Sequence, residues 1–178
     1  MTSSEYIQLK AFARVDGAKL FLLWLASFAC YVAGLRSPGL AVLSLVLALA
    51  TPFLCFRQLR HFRDGVLEGI ISFMRGWAYV VFLFFYAGLL FAMSQFVYFN
   101  WMDHGYFAHA MEELLAAPEN AGVLRQMGTT PAEVSDALTK MRPIETALNI
   151  LSSNLLIGCL IALPLAAVSK RDRLQKVE

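Results

Sequence analysis

Charge is scarce in this sequence. Of its 178 residues, 16% are Asp, Glu, Lys or Arg and 58% are apolar, whereas a soluble domain usually carries about 25% charged and about 45–50% apolar residues. An ordinary soluble domain is therefore excluded, and no nucleic-acid partner is expected. Cysteine is also rare. Cys30, Cys55 and Cys159 each lie in an apolar stretch, and none stands at metal-ligand spacing from another. Neither a disulfide framework nor a zinc site is indicated, and the three read as small buried hydrophobes. HExxH, Walker A and GxSxG patterns are absent, so the sequence offers no catalytic residues and no cofactor site.

Long apolar runs are what it has. A membrane-crossing helix needs about 20 predominantly apolar residues, and four segments qualify: 17–35, 40–56, 70–99 and 144–169. The reading is an all-α integral membrane protein, one membrane domain over 1–178. Arg36-Ser37-Pro38-Gly39 is long enough only for a turn, with Ser37 as N-cap and Pro38 at the first position of the second helix. Pro52 and Pro164 lie inside spans, where kinks are expected. Lys10, Arg14 and Lys19 before the first run resemble the start of a signal peptide, and Ser27 to Cys30 a lipoprotein cleavage box. Ser27 and Phe28 miss the Leu and the small residue such a box wants, and the run continues to Leu35, so cleavage is not expected.

Lys and Arg near the helix ends set orientation. Lys10, Arg14, Lys19, Arg57, Arg60, Arg63, Arg75, Lys170, Arg171, Arg173 and Lys176 fall on one side, and Arg36, Arg125, Lys140 and Arg142 on the other. The richer side is expected in the cytosol, with both termini, in a multi-pass membrane protein. Trp77 and Tyr79 then lie at the inner boundary, Tyr98 and Trp101 at the outer. The segment 100–143 is expected outside as two or three short helices. It is acidic, with Asp103, Glu112, Glu113, Glu119, Glu133 and Asp136 against Arg125, Lys140 and Arg142. Thr130-Pro131-Ala132-Glu133 has the form of a capping box. Val134, Leu138 and Met141, like Phe107, Met111, Leu114 and Leu115, form apolar stripes at helical spacing.

Phe62-Arg63-Asp64-Gly65, Ile71-Ser72-Phe73, the Pro-Ala-Glu helix start and Ser169-Lys170-Arg171 resemble a family of small bacterial inner-membrane proteins, the domain of unknown function numbered 4199, common in Bacteroidota. The resemblance covers nearly the whole chain. It implies four membrane helices and no assigned activity, and supplies no site residues. It also implies neighbours among polyprenol-phosphate glycosyltransferases, hence a partner acting on lipid-linked substrates.

Three constellations remain as candidates. His104, His109, Glu112 and Glu113 are too few at fixed positions for a zinc site, which needs three protein ligands; they read as a solvated helix face and no metal is expected. Arg57, Arg60 and Arg63, with Arg75 at the start of the third helix, form a basic cluster. It reads either as a topology signal or as a dock for anionic lipid headgroups, where each charge gains about 1 kcal/mol. Tyr31, Ser94, Gln95, Asn149, Ser152 and Asn154 lie in the outer half of the membrane, as interhelical glue or as the wall of a polar cavity. Asn154, Gly158, Ala162 and Ala166 form a stripe that lets another helix approach. The functional expectation is a non-catalytic membrane subunit that anchors or positions a partner, with membrane lipids and a protein partner or homo-oligomer as company. The alternative is a small transporter or lipid-binding protein that uses the polar cavity.

Overall fold

A computed structural model describes residues 3–120, 124, 126 and 128–171. Arg125, Arg173 and Lys176, counted in the charge asymmetry, lie outside them. The described residues form helices without a named strand: α1 Ser3–Gly34, α2 Pro38–Leu49, α3 Thr51–Val66, α4 Phe73–Val97, α5 Tyr106–Ala116, α6 Pro131–Lys140 and α7 Pro143–Ser169. A π turn, Tyr98–Met102, prolongs α4, and a 3₁₀ turn, Pro118–Asn120, follows α5. Four units are long and apolar enough to cross a membrane: α1, the joined α2 and α3 over Pro38–Val66, α4 with its π turn over Phe73–Met102, and α7. The chain is a multi-pass membrane protein.

The first two helical units outrun the expected apolar spans. At 1.5 Å per residue, the 32 residues of α1 reach about 48 Å, beyond the roughly 30 Å of a hydrocarbon core. Its buried residues Leu9, Ala13, Asp16, Gly17, Leu20 and Trp24 recur every three or four positions, so one face stays turned to the bundle throughout. The α2–α3 unit is interrupted at Ala50, two residues before Pro52. Proline lacks the N–H that would continue the α2 ladder but is harmless in a first turn, so the expected kink becomes a helix boundary. The helix passes Pro164 without interruption.

Small residues decide which helices touch. A Cβ built on Gly34 would lie 2.6 Å from the Ala41 nitrogen, which shows how tightly α1 turns into α2. One on Gly17 would lie 2.9 Å from Tyr86 Cβ, so α1 rides on α4. The stripe on α7 faces α4: Gly76 stands against Ala166, Gly158 against Phe84, and Gly88 against Leu151 and Asn154. The helix α2 packs along α1, while α3 packs on α1, α4 and α7.

At the far end, the Asp103 carboxylate accepts from the backbone N–H of Gly105 (3.1 Å) and Phe107 (3.0 Å), capping α5. Thr130 and Glu133 form the capping box of α6. Helices α5 and α6 pack on each other, but their buried residues are Ala108, Ala110 and Ser135. Leu114 and Met141, expected in apolar stripes, are exposed, because the contact forms where small side chains let two short helices approach.

Candidate functional site

At the basic end, three of the four motifs quoted from the sequence converge. Ile71 and Arg171 exchange both backbone hydrogen bonds at 3.1 Å, an isolated antiparallel bridge between the turn before α4 and the end of α7. Arg63 Nη1 donates to the Ser169 carbonyl at 3.1 Å. Its Nε and Nη2 fork onto Asp64 at 2.6 and 3.0 Å. Ser72 caps α4 by accepting from the Arg75 N–H. The last carbonyls of a helix have no intrahelical donor, and a guanidinium there satisfies one and complements the helix dipole.

The basic cluster is thereby divided. Arg63 has a side-chain exposure of 4% and is spent on structure. Arg75 pairs with Glu5 at 3.2 Å and donates to Gln8, both at the start of α1. Arg57 and Arg60 remain on the exposed face of α3, with Arg60 over the Phe56 ring.

The polar residues of the other half are also divided, by helix phase. Asn149 and Ser152 are on the exposed face of α7, and Ser152 bonds the Leu148 carbonyl of its own helix. Ser94 bonds the Phe91 carbonyl and borders a groove of about 790 Å³ between α1 and α4. Gln95 is buried, with Oε1 lacking a hydrogen-bond partner. Tyr31 and Asn154 alone of the six share a cavity. It holds about 500 Å³ and is lined also by Trp24, Ser27, Ser44 and Thr51. Trp24 Nε1 donates to Thr51 Oγ1 at 3.0 Å, and Ser27 Oγ to the Ser44 carbonyl at 2.9 Å. Asn154 Nδ2 is buried without a partner. The cavity lies where α2, which passes into α3 at Ala50, packs on α1 and not along α7. Leu49 and Ile157, on its rim, are exposed, so it opens sideways.

Sequence reasoning missed Asp16. Its carboxylate is 6% exposed and accepts from Lys19 Nζ at 2.7 Å and from the Tyr79 hydroxyl. Gln58 Nε2 donates to the Asp16 carbonyl at 3.1 Å. Tyr79, expected near the inner boundary, is fully buried in the bundle and stacked on Phe62. The signal was an acid inside the Leu9–Ala13–Leu20–Trp24 stripe. Among the described residues, no three His, Cys, Asp or Glu gather as a metal site; His104 and His109 are exposed.

A family model described as "Protein of unknown function (DUF4199)" matches residues 16–171. The chain belongs to this family. In this DUF4199 chain the matched stretch opens on Asp16, of the buried network, and closes on Arg171, of the bridge to Ile71. No curated protein and no solved structure matches it.

Proposed function

We propose that this is a non-catalytic lipid-binding protein of a bacterial inner membrane, which admits an amphiphile sideways between α2 and α7. Both termini lie in the cytosol and the segment 100–143 outside, in keeping with the Lys and Arg asymmetry. The reading is carried by the side-opening cavity of about 500 Å³, with its aromatic, hydroxyl and amide lining. A pocket of this kind, apolar with a few placed polar groups, suits a small ligand or a single chain. An unpaired buried amide costs a few kcal/mol, and an ester or hydroxyl oxygen in the cavity would accept from Asn154 after a turn about its side-chain bonds. Binding inside the bundle is favoured over anchoring a partner because these features face the interior.

Trp24 supplies the test. With Trp77 and Trp101 changed to Phe, Trp24 is the sole tryptophan. In vesicles of chain-brominated phosphatidylcholine its fluorescence should be quenched, and Ala48→Phe, which fills the cavity, should relieve the quenching. Emission unaffected by brominated lipid, while a sole Trp101 is quenched in the same vesicles, would sink the reading.

A further inference from the structure

A second cavity, of about 280 Å³, lies between α1 and α3 at the basic end, lined by Ala11, Phe12, Val15, Asp16, Lys19 and His61. It sits beside Gly17, where the first apolar run begins, so in a bilayer it lies at headgroup depth. Two of its walls are apolar and open: Phe12 is 37% exposed and Val15 57%.

Its polar side is arranged for an anion. The Asp16 carboxylate is engaged by the Tyr79 hydroxyl on one oxygen and Lys19 on the other, and at 4% exposure Asp16 presents little negative surface. The Lys19 ammonium is held in place by that contact and keeps its remaining N–H donors for the cleft. His61 faces it from α3, and Arg57, one helical turn before His61, shares that exposed face. Of the groups packed around the cleft, Tyr79 and Gln58 are turned to Asp16.

We propose that this cleft seats the phosphate of an anionic lipid headgroup, with Lys19 and His61 as its ligands, Arg57 at its edge and Asp16 as the residue that positions Lys19. Phe12 and Val15 carry the start of the acyl chains. The proposal rests on membrane insertion and not on the cavity between α2 and α7, so either can fail alone.

The test is a titration of the full chain in neutral detergent with dihexanoyl phosphatidylglycerol, read by native mass spectrometry, with dihexanoyl phosphatidylcholine as reference. The double variant Lys19→Gln, His61→Gln should bind the anionic lipid about tenfold more weakly. Ala11→Phe, which fills the cleft and leaves every charge in place, should do the same. Lys19→Arg should retain binding. Lys10→Gln with Arg14→Gln removes two charges from another face of α1 and should change affinity by less than about twofold. An equal loss in that control, or full binding by Ala11→Phe, overturns the proposal. Free glycerol phosphate should not compete; competition at matching concentration would transfer the site from lipid to soluble phosphate and overturn the lipid assignment. Variants are compared only if their melting curves match, and Ala11→Phe keeps the test open should loss of Lys19 disturb Asp16.

Discussion

Arg63 and Ser169, 106 residues apart, meet at the basic end, where the guanidinium donates to the carbonyl that ends α7. An arginine that reads in the sequence as one of three equivalent charges is a strut between the second and last spans. Its neighbours on α3, Arg57 and Arg60, stay on the surface. Hydrogen bonds to charged groups contribute about 1.5–3 kcal/mol. Arg63→Gln should therefore lower stability by about that amount, and Arg60→Gln by less than about 0.5 kcal/mol. Denaturation of both variants in detergent checks the contrast; equal midpoints would contradict it.

Tyr79→Phe leaves one oxygen of Asp16 buried without a donor. The expected cost is about 1–3 kcal/mol. Because the two side chains share one contact, Asp16→Asn combined with Tyr79→Phe should cost less than the two changes added together. A double-mutant cycle on unfolding free energies reads this directly, and strict additivity would count against the coupling.

Gly158→Ala places a methyl group about 2.5 Å from the Phe84 ring carbons, closer than real Cβ contacts come. Helices α4 and α7 must then separate, at an overpacking cost of about 1–3 kcal/mol. Phe84→Ala in that background should recover part of the overpacking, so that the pair costs less than the two changes added together, since it removes Cγ and Cδ1, two of the three atoms the methyl meets. A melting series of the wild type, both single variants and the double variant would show it; no recovery in the double variant places the strain elsewhere.

Orientation is tested by labelling. In a background free of Cys30, Cys55 and Cys159, Ala137→Cys lies on the exposed face of α6 and Ser4→Cys on the exposed start of α1. A membrane-impermeant maleimide added to intact cells should reach the first and reach the second only after permeabilisation. The reverse pattern would invert the proposed topology.

Much of the architecture was legible in the chain. Four apolar runs interrupted by polar turns leave little choice but helices, because a backbone in lipid must satisfy its own hydrogen bonds. Thr130 and Glu133 announced a helix start through contacts only three residues apart. The site was less legible. Tyr31 and Asn154 line one cavity, whereas Asn149 and Ser152, which share only their depth, lie on the exposed face of α7. Depth follows from position along a helix, whereas inclusion in a cavity depends on rotation about its axis.

What the sequence determined by itself is what depends on composition and near neighbours: membrane residence, the number of long apolar helices, the capping box at Thr130 and the tight turn at Ser37-Pro38, where Ser37 precedes α2 without a side-chain capping bond. The tertiary structure alone decided which charges are spent and which are free. Arg57 and Arg63 share a residue type and a helix, yet one is exposed and the other is 4% exposed, tied to Asp64 and Ser169. Asp16 looks in the sequence like one more charge before an apolar run, and only the arrival of Tyr79 and Gln58 from other helices makes it the centre of a buried network. The physical reason is range. Hydrophobic length and capping act within a few residues, while the fate of a charged side chain is set by donors and acceptors that the fold brings from far along the chain.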